Sequence, residues 1–265
     1  MLCWDRMVRA ASSYTTDRNC PGRDSAWCCA ERETKRHICA ASRAQPGEPE
    51  AIWNTASCET KRVRRVETDM SKGAETRKRI IAKAAPLFNR KGYEGCSMQD
   101  IVEAVGLEKG SLYGHFATKE ELAVAAFEHA WSETSKARMA GMDTATDAIA
   151  KLRVHLENVV SLPAFPGGCP LLNTITDSDD GNAALKKAAK EALKQWRMLI
   201  EGTLEEGQRR KEVKPEIVPK EVAAVMISLL EGAMALDRLD KKAGCLQTAG
   251  RHLQLYLNSI SIKRC

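Results

Sequence analysis

The chain has 265 residues, of which 43% are hydrophobic and 29% charged, and its formal net charge is +6 at pH 7. This length provides one or two domains with a substantial apolar core, and the mild basic excess permits nucleic-acid binding without demonstrating it. The longest apolar run, Val222 to Leu230, is far shorter than the ~20 residues that span a bilayer, which excludes a membrane-spanning protein.

The overall composition favours an all-helical chain. Aromatic residues make up only 5% of the sequence and there are nine prolines, which is untypical of a β-sandwich or a barrel. The first residues, MLCWDRMVRAASS, include Asp5 and no apolar run of signal-peptide length. We therefore expect a cytoplasmic protein with no membrane partner.

Residues 1–70 differ in composition from the rest of the chain. They hold six of the ten cysteines and three of the five tryptophans, and they show neither helical nor strand periodicity. The potential zinc ligands here match no strong spacing pattern, so we predict no metal site and no cofactor: Cys20, Cys28, Cys29, His37 and Cys39. We interpret residues 1–70 as a disordered extension. A new composition begins at Met70, which raises the hypothesis that the extension is not part of the native protein.

From Glu75 onward nearly all of the sequence has the apolar periodicity of α-helices. In the first helix, apolar residues recur at three- and four-residue spacing up to Gly92, which we predict ends the helix. Pro86 lies inside this segment, where it removes one backbone donor and can bend the helix.

Two short helices are predicted next. Ser97 is expected to cap the segment MQDIVEAV, because Asp100 at the third helical position completes a variant of the capping box. This helix ends at Gly106, and a three-residue turn leads into a second helix over about residues 109–116. Thr118 then caps a longer helix.

Two short helices joined by a tight turn, between two longer helices, form a helix-turn-helix unit. Its small core is predicted to contain Ile101, Val102, Val105, Leu107, Leu112 and Phe116, packed on Ile81, Leu87 and Phe88. The other face of the second short helix is polar, with Lys119 following at the next helix start: Lys109, Ser111, Tyr113 and His115.

The segment from Thr76 to Phe127 resembles the DNA-binding domain of the TetR family of bacterial transcriptional regulators. The matching residues read AAPLFNRKGYEGCSMQDIVEAVGLEKGSLYGHFATKEEL. They contain, in order, the family's F-x-x-x-G-[YF], [ST]-[MV]-x-x-I-[VA], A-V-G-[LV] and G-[ST]-L-Y-x-H-F-x-[ST]-K-E-x-L elements. Any one element would be a weak signal, but the set in the right order and spacing is a strong one.

The resemblance implies a role for each polar residue of this unit. Ser97 and Lys119 would contact phosphates. The second short helix would face the major groove and its flanking backbone through Lys109, Gly110, Ser111, Tyr113 and His115. Gly114 departs from the family's commoner choice of a large side chain, and we expect it to bring the helix backbone close to DNA. The structural alternatives are that His115 and Tyr113 pack against the protein and that Lys119 is a solvated charge.

Residues 122–262 are predicted to form a second, helical domain after a DNA-binding domain over residues 74–121. One long helix is expected over about residues 182–210, with an inner face of Leu185, Ala189, Ala192, Trp196, Leu199 and Leu204. The last two helices carry broad apolar faces. The resemblance implies that they meet a second copy of the chain in a four-helix bundle, and the alternative is a core within one chain. About nine helices are expected in total.

The segment FPGGCPLLN interrupts the second domain and resembles a motif of one TetR subgroup. Cys169 followed by Pro170 looks like a helix N-cap and first helical residue, a position that would lower the pKa of the thiol. A redox or electrophile sensor is therefore one interpretation, and a small residue at a tight bend is the other. A ligand pocket is predicted around His155, Phe165, Cys169, Asn173 and Trp196.

The leading prediction is a ligand-responsive DNA-binding transcriptional regulator, a repressor that binds a palindromic double-stranded operator as a homodimer. Its effector would be an unknown small molecule. One alternative is a helical thiol-dependent enzyme or sensor using Cys169 with His155, although no third orienting group or oxyanion site is evident. The other is a helical dimerisation module without DNA binding.

Overall fold

The structure, a computed structural model, describes residues 55–177 and 181–262, with side chains from residue 72 onward. Within these ranges it contains nine α-helices and no strand, apart from an isolated bridge between Val213 and Ser261. The all-helical prediction is confirmed. No helix in the described ranges is long and apolar enough to cross a membrane. The candidate zinc ligands and the predicted extension up to residue 54 lie outside the described residues.

The first helix starts earlier than predicted. Helix α1 spans Thr55–Gly95, whereas apolar periodicity placed its start at Glu75. Residues 55–74 contain no proline and many Glu, Lys and Arg residues, so good helix propensity favours a helix even though large apolar residues are few here. The segment 55–70, predicted as disordered, is therefore helical.

At its other end α1 breaks where expected. Gly92 has φ 75° and ψ 173°, a conformation that favours glycine. A Cβ at this position would lie 2.6 Å from the Asp177 carboxylate, so a side chain here would also require that carboxylate to move. The helix runs through Pro86.

The helix-turn-helix unit and its supporting helix follow directly. Helices α2, α3 and α4 span Met98–Val105, Lys109–His115 and Lys119–Met139. Buried residues from α1 to α4 share one core: Ile80, Ala84, Ala85, Cys96, Ile101, Leu112, Phe116, Leu122, Ala126 and Ala130. The predicted core residues Val102, Val105, Leu107 and Ile81 pack on it but are only partly buried, and Ile80 occupies the centre.

The remaining helices form a second core. After a 3₁₀ turn at Met142–Thr144 come α5 (Ala148–Ser161), α6 (Pro170–Asp177), α7 (Ala183–Arg209), α8 (Pro219–Leu239) and α9 (Cys245–Ile260). The inner face of α7 is as predicted except at one position, where Ile200 is buried and the predicted Leu199 is only partly buried. Helix α4 contributes to both cores, since Leu122 and Ala126 lie in the first and Phe127 and Trp131 in the second.

Candidate nucleic-acid interface and ligand cleft

The start of α2 is fixed by a capping box. The Ser97 hydroxyl accepts a hydrogen bond from the Asp100 amide (3.1 Å), and the Asp100 carboxylate accepts one from the Ser97 amide (2.7 Å). The hydrogen bond from Lys91 (2.6 Å) is the main cause of a strongly lowered pKa of Asp100, so the carboxylate is ionised at neutral pH. Ser97 is exposed in this first turn.

Helix α3 buries one face and exposes the other. Leu112 and the C-cap residue Phe116 are fully buried. Five of the seven predicted groove-facing residues and phosphate contacts on or near α3 are exposed: Lys109, Gly110, Ser111, Tyr113 and Gly114. His115 is half-buried, which is compatible both with the predicted DNA contact and with the alternative that it packs against the protein. Tyr113 is 43% exposed, so its ring is not a core residue.

The two glycines of α3 are not required by the fold. A Cβ built on Gly110 or on Gly114 meets no atom within 4 Å. Neither residue has a positive φ. The glycines leave a side-chain-free strip, one helical turn long, on the exposed face of α3.

Lys119 lies at the start of α4 and is partly buried. Its Nζ is 4.3 Å from the centroid of the Tyr93 ring, a cation–π contact. Tyr93 stacks on Phe88 with ring centroids 6.4 Å apart. Thr118 caps the helix by accepting a hydrogen bond from the Glu121 amide (3.0 Å), as predicted. The lysine is therefore held at a defined position rather than being a free solvated charge.

Of the five predicted ligand-pocket residues, two line one cleft in the second domain. Phe165 and Cys169 border a cavity of about 290 Å³, here named the ligand cleft, between α4, α5, α6 and α8. Asn173 instead lines a separate cleft against α1. His155 and Trp196 are buried and line neither of these two clefts.

His155 is a structural residue. Its Nε2 accepts a hydrogen bond from Trp196 Nε1 (2.9 Å), so Nδ1 carries the proton and donates to the Arg138 carbonyl (3.1 Å). Burial, with a smaller contribution from the Arg138 charge, lowers the pKa of His155 to about 4. The predicted ligand contact through His155 is wrong, because both ring nitrogens are already bonded within the core.

The predicted lowering of the Cys169 pKa is also wrong. Burial raises the pKa of this thiol to about 11, outweighing the nearby Arg138 charge. The Sγ atom accepts a hydrogen bond from Arg138 Nη2 (3.3 Å) and donates one to Glu231 Oε1 (3.0 Å). A buried, neutral thiol is a poor nucleophile, which argues against both the thiol enzyme and the electrophile sensor.

Arg138 and Glu231 were missed at the sequence level. Both are at least nine-tenths buried, with relative exposures of 7% and 9%. The guanidinium stacks on the Trp196 ring at 4.3 Å and approaches the Trp131 ring at 5.7 Å. The helical phase of α4 could have revealed Arg138, because it lies seven residues after Trp131 on the same inward face.

The loop before α6 connects the ligand cleft to α1. Asn89 on α1 donates hydrogen bonds to the carbonyls of Pro166 and Gly168, both at 3.0 Å. Asn173 donates back to the Asn89 carbonyl (2.9 Å). Gly167 (φ 100°) lies so close that a Cβ would be 2.8 Å from the Asn89 carbonyl oxygen. The segment that borders the cleft is therefore fastened to the last turns of the helix that supports α2 and α3.

Comparisons with known proteins agree with this geometry. A family model described as "Bacterial regulatory proteins, tetR family" matches residues 80–126. A second, "Tetracyclin repressor-like, C-terminal domain", matches residues 145–253. A solved TetR transcriptional regulator from Chloroflexus aurantiacus is 36% identical, covers 72% of this chain and 98% of its own, and superposes with a TM-score of 0.69. The chain belongs to the TetR family.

This TetR-family protein matches two curated relatives over most of the relatives' length. The transcriptional regulator LmrA of Bacillus subtilis is 28% identical over 174 residues, which are 64% of this chain and 89% of LmrA. The transcriptional repressor ComR of Escherichia coli is 27% identical over 190 residues, 66% of this chain and 86% of ComR. TetR-family regulators are non-enzymatic transcription factors, so the chain is a DNA-binding transcriptional regulator and not an enzyme.

Proposed function

We propose that the chain is a ligand-responsive repressor that binds a palindromic operator as a homodimer in the cytoplasm. Residues 74–121 are assigned to DNA binding, and residues 122–262 to ligand binding and dimerisation. Its relative ComR is named a repressor, which favours repression over activation. Operator binding by a bacterial regulator takes place where the chromosome lies, which favours the cytoplasm.

The observation that carries the DNA-binding assignment is the exposed face of α3. Lys109, Ser111 and Tyr113 supply hydrogen-bond donors for base edges and phosphates, and the two glycines let the helix backbone approach the groove. Ser97 and Lys119 lie at the starts of α2 and α4 and supply phosphate contacts on either side. His115 is half-buried at the end of α3, where it contacts the DNA backbone with one side of its ring and packs against the protein with the other.

Dimerisation is supported by an exposed apolar stripe. Val225, Leu229 and Leu236 on α8 are 58%, 41% and 54% exposed, and they share one helix face with Gly232, whose Cβ position is open. Leu255 and Tyr256 extend the stripe onto α9 at 64% and 37% exposure. An apolar surface on two antiparallel helices is suited to an isologous contact with a second copy.

Ligand response is supported by the loop before α6. Phe165, Gly168 and Cys169 line the ligand cleft, and the same loop is bonded to Asn89 of α1. A ligand that binds better to one position of this loop favours one placement of the DNA-binding helices. Two such units in a dimer would place their α3 helices about one turn of DNA, ~34 Å, apart.

A footprint on the DNA upstream of the protein's own gene tests the proposal. A symmetric protected region with two half-sites about one helical turn apart is expected. Tyr113→Ala and Lys119→Ala should weaken protection while leaving the melting temperature within about 2 °C, because Tyr113 is exposed and Lys119 is only partly buried. Met198→Ala, an exposed substitution on α7, serves as the control. Undiminished protection in both α3-region variants would refute the assigned DNA contacts.

A further inference from the structure

The charged residues that line the ligand cleft are almost all engaged with other protein groups. Asp237 accepts hydrogen bonds from the Cys245 and Leu246 amides (2.7 and 2.9 Å) at the start of α9. Glu133 pairs with Lys136 at 3.0 Å. Arg238 bonds the side chain of Asn173. Of the four charged residues that line the cleft, Arg138 is the one left incompletely bonded.

Arg138 is buried with an unused donor. Nη1 is shielded from solvent and has no hydrogen-bond partner among the described residues. The hydrogen bond from Nη2 ends on the Cys169 sulfur, a weak acceptor. The rings of Trp131 and Trp196 stabilise the positive charge, but they offer no lone pair to Nη1.

Glu231 does not complete the bonding of Arg138. Its Oε1 accepts from the Cys169 thiol, and its Oε2 has no partner among the described residues. The thiol therefore stands between the two charged groups in the hydrogen-bond chain. Burial raises the pKa of Glu231, which reduces its value as a counter-ion. A buried guanidinium in this situation is costly unless an oxygen acceptor reaches it.

The rest of the cleft accommodates an apolar body. Its walls include Val159, Leu162, Phe165, Leu172, Met234 and Leu246, and its volume of about 290 Å³ suits a small molecule. The acidic residues of the lining are engaged elsewhere, so the cleft offers no free carboxylate to a cationic ligand.

We infer that the ligand cleft binds a small, mainly apolar monocarboxylate, whose anionic oxygen accepts a hydrogen bond from Arg138. This inference rests on the proposed ligand response and names the chemical class of the effector. The apolar part lies against the walls, and the carboxylate supplies the acceptor that Nη1 lacks once the guanidinium turns this shielded nitrogen towards the cleft. Cys169 is a positioning residue, because its sulfur holds Nη2 and so orients the guanidinium.

The test uses the full chain and a panel of aromatic and medium-chain aliphatic monocarboxylates, each paired with its neutral primary amide. Binding is measured by calorimetry and by the shift in melting temperature. At least one acid should bind roughly 10- to 100-fold more tightly than its amide, the range for a charge-assisted hydrogen bond in a buried site. Equal binding of acids and amides, or binding of no acid in the panel, would overturn the inference.

Variants locate the effect within the cleft. Arg138→Met keeps most of the apolar stem and should abolish the preference for acid over amide. Arg209→Met, at an exposed arginine of α7 that pairs with Glu206 and does not line the cleft, should retain it. An unchanged preference in Arg138→Met would refute the role of this residue. If Arg138→Met does not fold, the acid and amide pairs on the unmodified chain still decide the question.

A DNA-release assay separates this inference from the proposed function. Operator fragments are titrated with the acids and amides in parallel. Release by neutral compounds alone would leave ligand response intact and overturn the carboxylate class. Acid binding in the cleft without any change in operator affinity would support the ligand class and count against the ligand response.

Discussion

Replacing Gly114 with alanine separates the stability of α3 from its contact with DNA. The added methyl group meets no protein atom within 4 Å, and the backbone does not need a positive φ. The expected effect on the fold is the helix-propensity difference alone, about 0.5–1 kcal/mol in favour of alanine. In a chain of this size that raises the melting temperature by about 1–4 °C.

The effect on DNA binding should have the opposite sign. If the α3 backbone lies against the groove at this glycine, the methyl group must displace it, and the affinity should fall at least tenfold, about 1.4 kcal/mol. The assay is fluorescence anisotropy with the protected upstream DNA at one fixed salt concentration, with thermal melting on the same samples.

Gly202→Ala provides the matched control. Gly202 is also an exposed helical glycine whose Cβ position is open, but it lies on α7. It should gain similar stability and keep full DNA affinity. A stabilised Gly114→Ala protein whose affinity stays within twofold of the unmodified chain would refute the close approach of this backbone to DNA.

Three further predictions concern the second domain. The pKa of His155 is lowered to about 4 in the fold, so the unfolded chain takes up the proton first, and the free energy of unfolding should be full above pH ~6.5 and fall by up to ~3 kcal/mol as the pH drops towards 4. Urea unfolding should show that His155→Phe loses this part of the pH dependence. The same dependence of unfolding free energy on pH in both proteins would contradict it. Asn89→Ala removes two hydrogen bonds to the loop before α6, so it should at least halve the ligand-induced change in operator affinity while the ligand still binds in the cleft. An unchanged effect of the ligand on operator affinity would show that the contact between Asn89 and the loop does not transmit the response. Leu236→Glu should give a monomer in sedimentation, and Met198→Glu, at 50% exposure on α7, should not; a dimer in both would place the interface elsewhere.

Features set by neighbouring residues were predictable from the sequence. The capping box at Ser97 and Asp100 and the stop at Gly92 depend on contacts within a few positions, and both are found in the structure. The polar face of α3 follows from helical phase once Leu112 and Phe116 are assigned to the core. The start of α1 was misplaced because apolar periodicity cannot detect a helix that depends on propensity instead.

The environment of Cys169 was not predictable in the same way. Its partners Arg138 and Glu231 are 31 and 62 residues away and lie on two other helices. A helix start alone indicates a lowered thiol pKa, whereas burial among these helices raises it. Helical phase indicates that Arg138 faces inward, but only tertiary packing brings it and Glu231 to the same thiol.

Helix α8 takes part in three surfaces at once. It supplies Glu231 to the buried hydrogen-bond chain with Cys169 and Arg138, Met234 to the wall of the ligand cleft, and Leu229 and Leu236 to the exposed apolar stripe. These positions lie within three turns, so a small rotation of the helix that accommodates a different ligand also rotates the stripe. Under the proposed function, effector specificity and subunit pairing would therefore be inherited together, and a duplicated gene that diverged in one would tend to stop forming mixed dimers with its parent.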